Sequence, residues 1–111
     1  MELEANLKLS LLSELYKNLL TDKQQKMLKD FLDNNLSISE LAVEYNSTRQ
    51  AVNDLLKRTF KTLEGYEKKL GLLNKLESIK SKVNQSISAL NKEEIDKKFI
   101  QVKLSEILEV L

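Results

Sequence analysis

Apolar and polar positions alternate along this chain with helical spacing, and the pattern predicts five or six helices and no strands. The first is expected from about Leu3 to Leu20, with Leu7, Leu11, Leu12, Leu15, Tyr16 and Leu19 forming a broad inward stripe. Thr21-Asp-Lys-Gln24 is a capping box that opens a second helix, which buries Met27, Leu28, Phe31 and Leu32 and ends at Asp33-Asn-Asn35. Ser37-Ile-Ser-Glu40 is a second box. It starts a helix of about two turns that buries Ile38, Leu41, Ala42 and Tyr45. Ser47-Thr-Arg-Gln50 reads as a third box. The helix it opens carries Val52, Leu55, Leu56, Thr59, Leu63, Tyr66 and Leu70 to a C-terminal cap at Gly71. Gly65 lies inside that run, costs roughly 1 kcal/mol relative to Ala, and is expected to mark a kink or a close helix contact.

The segment from Leu36 to Arg58 reads as a helix-turn-helix, the unit that lays a short helix in the DNA major groove. Ala42 falls where two helices cross closely. Asn46 falls at the turn, where a left-handed backbone is wanted and Asn is the usual substitute for Gly. Val52, Leu55 and Leu56 hold the second helix against the first, and Ala51 is assigned to packing with them. That helix is longer than a minimal recognition helix, so its far end needs a partner surface.

The rest of the chain predicts two more helices. Leu72, Leu76, Ile79, Val83, Ile87 and Leu90 line one. Asn91-Lys-Glu-Glu94 resembles a fourth capping box, and Ile95, Phe99, Val102, Ile107, Leu108 and Leu111 line the other. Leu76, Val83 and Leu90 recur at heptad spacing over too short a span for a long coiled coil. The expected organisation is a helical region 1–71, with the helix-turn-helix at about 37–61, and an extension 72–111. The extension either folds back on the monomer as a hairpin or pairs two subunits.

Composition narrows the function. Of 111 residues none is Cys, His or Pro, and only two are Gly. A thiolate nucleophile, a disulfide framework, a Cys/His zinc site and an imidazole base are excluded, as is a phosphate-cradling glycine loop. No enzymatic activity, metal site or cofactor is expected; Glu40 and Glu44 share a helix face, but as an ordinary solvated surface. With no signal-peptide pattern and no apolar run of membrane-spanning length, a soluble cytoplasmic protein is expected, without membrane insertion.

Net charge is +1, unevenly placed: from Thr48 to Lys61 the chain has four bases and a single acid, Asp54. The chain's two arginines, Arg49 and Arg58, both lie there. A local basic patch on a nearly neutral protein suits a module that gains affinity as a dimer or with a partner. The candidate DNA-contacting residues are Thr48, Arg49, Gln50, Asn53, Lys57, Arg58 and Lys61. Arg49 and Asn53, four apart, are the preferred pair of base readers, with Arg suited to guanine and Asn to adenine. Gln50 ranks lower because the capping box engages it. Lys57, Arg58 and Lys61 are placed to meet phosphates, which set position rather than sequence. Asp54 either accepts from cytosine N4 or repels the backbone.

Several runs carry a family resemblance: Leu19 to Gln25, Ser39-Glu-Leu-Ala-Val-Glu-Tyr45, Ser47 to Val52, Leu56-Lys-Arg-Thr59, and Leu63-Glu-Gly-Tyr-Glu-Lys-Lys-Leu-Gly71. Over about Leu15 to Gly71 the chain resembles the YlxM family of small bacterial proteins. The core is also similar to the fourth region of sigma-70-type factors, which reads the promoter −35 element. The resemblance implies an all-α, dimeric protein with a sigma-region-four-like helix-turn-helix, whose recognition helix starts across Ser47, Thr48, Arg49 and Gln50. It also implies a regulatory link to the signal recognition particle pathway. Two functions follow as expectations: a homodimeric DNA-binding regulator, or a non-DNA protein that binds the particle's GTPase or RNA.

Overall fold

The computed structural model describes residues 2–111. The elements are α1 (Glu2–Tyr16), a 3-10 turn (Lys17–Leu19), α2 (Asp22–Leu32), α3 (Ile38–Glu44), α4 (Arg49–Leu70), α5 (Leu72–Leu90) and α6 (Lys97–Val110), with no strand among the described residues. The protein is all-α, with a helix-turn-helix formed by α3 and α4. It divides into two compact units, one ending at Leu70 and the other spanning Gly71–Leu111.

In the first unit, α4 is the central rod, and α1, α2 and α3 all pack on it. Leu9, Leu12, Tyr16, Leu20, Met27, Leu28, Leu41, Ala42, Val52, Leu56 and Leu63 form the core. The inward face of α1 is not the one expected. Leu7, Leu11 and Leu19 are exposed, Leu15 is half-buried, and Leu9, not expected inside, is buried. Leucines stand on nearly every side of this helix, so spacing alone does not choose its buried face; contact with α4 does. In α2, Met27 and Leu28 are buried as expected, while Phe31 and Leu32 are only half-buried.

The local signals at α2 and α3 form as expected. Gln24 N donates to Thr21 Oγ1 at 3.2 Å, and Thr21 N to Gln24 Oε1 at 3.0 Å. Glu40 N donates to Ser37 Oγ at 3.1 Å, and Ser37 N to Glu40 Oε1 at 3.1 Å. That backbone donor, with the Ser37 hydroxyl, holds the Glu40 carboxyl below its usual pKa range.

The extended α4 finds its partner surface within its own unit. Thr59 and Leu63 are buried, the Tyr16 hydroxyl donates to Glu67 Oε1 at 2.6 Å, and the Tyr66 hydroxyl to the Leu19 carbonyl at 3.3 Å. Gly65 makes neither a kink nor a close contact. The helix runs unbroken through it, and a Cβ there would meet nothing within 4 Å. Gly71, with φ 64°, does terminate α4 in the left-handed region.

In the second unit α5 and α6 pair as a hairpin. The stripe expected to line α5 is left largely open. Leu72, Leu76, Val83, Ile87 and Leu90 are exposed, Ile79 is half-buried, and the seam is built on buried Ser86 and Ala89. On α6, Ile100, Ile107 and Val110 face inward while Phe99, Val102, Leu108 and Leu111 are exposed. The expected box at Asn91 does not form. Asp96 Oδ1 accepts from Phe99 N at 3.1 Å and caps α6, leaving Ile95 in the loop.

Candidate nucleic-acid interface

The turn between α3 and α4 sets how the candidate residues are presented. Asn46 takes φ 49°, as its position in the sequence predicts. Ser47 N donates to the Ala42 carbonyl at 2.8 Å and Asn46 N to the Val43 carbonyl at 3.2 Å, the paired bonds of a Schellman ending. The Ala42 side chain is buried in α3, which packs on α4.

The box expected at Ser47–Gln50 does not form. Thr48 is the cap: its Oγ1 accepts from Ala51 N at 3.0 Å, and α4 starts at Arg49. Two hydroxyl residues compete at adjacent positions, and the left-handed turn one residue earlier leaves Thr48 at the helix entrance. The third helical residue is then Ala51, which cannot reach back. Ala51 is exposed, not packed, and Gln50 is released from capping. The Gln50 amide Nε2 donates instead to Asp54, at 3.2 Å from Oδ1 and 3.4 Å from Oδ2.

Of the seven candidate residues, Thr48, Arg49, Gln50, Lys57, Arg58 and Lys61 are exposed and Asn53 is half-buried. The Thr48 hydroxyl is engaged by the helix end. The two base readers preferred from the sequence are unequal, since Asn53 lies against the body while Arg49 stands out at the tip of the helix. The four cations Arg49, Lys57, Arg58 and Lys61 take part in none of the ion pairs among the described residues, which join Lys8 to Glu64, Lys17 to Glu14, and Lys103 to Glu106. The first half of α4 therefore offers exposed cations that pair with no carboxylate among the described residues.

Sequence reasoning missed the polar bolt behind this surface. Asp30 of α2 is buried, with 8% of its surface exposed, and accepts from the Tyr45 hydroxyl at 2.7 Å and from Asn34 Nδ2 at 3.0 Å. Lys26 Nζ lies 5.6 Å from the centre of the Tyr45 ring. The acid-to-phenol pairing spans fifteen residues, so no local spacing announces it. Among the described residues no cluster of three carboxylates is placed to hold a metal ion, and no helix is long and apolar enough to cross a membrane.

Residues 3–107 match the model of a protein family, UPF0122, described as "Putative helix-turn-helix protein, YlxM / p13 like". The chain belongs to this family. Similar relatives include the UPF0122 protein of Desulforamulus reducens, 42% identical over 76% of this chain and 72% of the relative. The UPF0122 protein of Mycoplasma capricolum is 40% identical over 96% and 90% of the two chains. That of Halalkalibacterium halodurans is 38% identical over 98% and 95%. The family match runs through α5 and into α6, well past Gly71, where the resemblance read from the sequence ends.

Proposed function

We propose that this protein is a homodimeric DNA-binding regulator that inserts the first half of α4 into the major groove. The supporting observation is that Lys57, Arg58 and Lys61 are exposed on the side of α4 away from its buried face, that Arg49 is exposed at the helix start, and that none of the four joins an ion pair among the described residues. Phosphates are the natural counterions for such cations, and the helix N-terminus brings Arg49 toward base edges. Arg49→Ala is expected to relax sequence preference, while Lys57→Ala weakens all sequences alike. If both variants titrate DNA like the parent, the reading is wrong.

The second unit supports the dimer. Five large apolar residues of α5, from Leu72 to Leu90, stay exposed within an arc of about 60° of the helix, given 100° per residue. Leu104, Leu108 and Leu111 leave a second stripe open on α6. A two-helix hairpin cannot bury such stripes alone. A second copy supplies identical stripes, with Leu76, Val83 and Leu90 at heptad spacing for interdigitation, and closes a four-helix bundle. Sedimentation at micromolar concentration is expected to give twice the 12.8 kDa chain mass, and Leu76→Glu with Val83→Glu to give monomer. A monomeric parent overturns the dimer. If that monomer binds signal recognition particle RNA or GTPase through the same face, the second reading implied by the family resemblance replaces it.

A further inference from the structure

We propose that Gln50 and Asp54 act together as the base-selecting element of α4, requiring an exocyclic amino group, adenine N6 or cytosine N4, at the major-groove position they face. The inference rests on the DNA reading above and names the chemistry that it selects.

Direction comes first. Val52, Leu56, Thr59 and Leu63 are the buried residues of α4. At about 100° per residue, the direction opposite their mean falls between Gln50 and Asp54, within about 30° of each. Asn53 lies about 90° from that outward line and is half-buried. Arg49 lies about 130° from it and is exposed because it begins the helix. Within the first two turns of α4, the residues that point most directly away from the core are thus the amide and the carboxylate, with Lys61 in line behind them.

Their bonding then fixes what they offer. A carboxylate only accepts, so the amide nitrogen of Gln50 must face Asp54, and it reaches both oxygens, at 3.2 and 3.4 Å. Gln50 Oε1 is turned away from the carboxylate, and one amide hydrogen remains for another acceptor. The pair therefore presents Oε1, the open lone pairs of Asp54, one N–H and a net negative charge. Guanine offers N7 and O6, both acceptors, and thymine offers O4 and a methyl group; either can take the one N–H but gives no donor to Oε1 or to the Asp54 carboxylate, which stay desolvated and unmatched. Adenine supplies N6–H to Oε1 and receives the remaining N–H at N7, while cytosine supplies N4–H to Asp54. Asp54, the lone acid in a basic segment, becomes the group that rejects guanine.

The test is selection of bound fragments from random duplex DNA by the full chain, run in parallel for the parent, Gln50→Ala, Asp54→Asn and Lys57→Ala. The parent is expected to enrich adenine or cytosine over guanine at one position per half-site. Asp54→Asn, which removes the negative charge and replaces one acceptor oxygen with a donor amide, is expected to bind all DNA more tightly and to cut that discrimination roughly five- to 150-fold. Gln50→Ala is expected to weaken the adenine preference, and Lys57→Ala to keep the motif at lower affinity. A pair that serves only helix stability would change melting temperature and leave the motif untouched. If Asp54→Asn and Gln50→Ala enrich the parent's motif unchanged, or if the parent prefers guanine there, this inference is overturned while DNA binding stands. If the parent retains no DNA even at low salt, the DNA reading falls and this inference falls with it.

Discussion

The Tyr45 hydroxyl donates to Asp30 Oδ2 across 2.7 Å, tying the residue that ends α3 to the buried face of α2. This bond, with those from Asn34 and the charges of Lys26 and Lys29, holds the Asp30 carboxyl below its ordinary pKa against the opposing effect of burial. Burial, then the hydrogen bond and charge of Asp30, push the Tyr45 phenol up to about 12. The depressed carboxyl contributes stability above its unfolded pKa of 3.8, and this is lost as pH falls below that value toward its folded pKa. The raised phenol contributes stability that is complete below its unfolded pKa of 10.0 and is lost as pH rises from there to about 12. Tyr45→Phe is therefore expected to melt earlier near neutrality and to lose less further stability between those two alkaline values. Denaturant titrations at several pH values check this, and superimposable curves for parent and variant would refute it.

The helix cap makes a sharper distinction. Thr48→Ala removes the acceptor for Ala51 N and is expected to cost about 1 kcal/mol, whereas Ser47→Ala changes stability by a few tenths at most. Equal losses in chemical denaturation would mean that the two hydroxyls share the capping role.

Gly65 stands exposed in the interior of α4 with open space where a Cβ would go. Gly65→Ala should therefore stabilise the protein by roughly 0.5–1 kcal/mol, the entropy that glycine loses in a helix. A destabilised variant would reveal a contact to that face in solution.

Arg58 and Lys61 are exposed on the outer side of α4 and join no ion pair among the described residues. If each neutralises one phosphate, removing either flattens the plot of log affinity against log salt by about 0.9. Binding constants measured from 50 to 200 mM salt decide it, and an unchanged slope removes that residue from the interface.

How legible the molecule was in its sequence depended on the range of the interactions. Thr21 with Gln24 and Ser37 with Glu40 form within a single turn, so their spacing alone located two helix starts. Asn46 marked the turn because few residues tolerate its backbone. The failures are of another kind. The buried side of α1 is set by a helix some fifty residues away in the chain, and Leu9 could not be distinguished from its neighbours. The apolar stripe of α5 is legible as a stripe, but spacing alone leaves open what covers it; in the structure it stays largely exposed and the buried residues of α5 are Ser86 and Ala89. At Ser47 and Thr48, and again between Asn91 and Asp96, several good capping residues stand close together, and tertiary context chooses. In the candidate interface the cations were legible from composition. The Gln50–Asp54 bond has a readable four-residue spacing, obscured by the capping role that Gln50 does not have.

The joint between α3 and α4 works as a key for rotation. Ser47 is pinned back to Ala42 and Thr48 forward to Ala51, so the clock position of α4 about its own axis is locked at its first residue. One residue inserted or removed there would swing the outward side chains by about 100°. The chain would keep its charge, its composition and its helices, yet aim them at nothing.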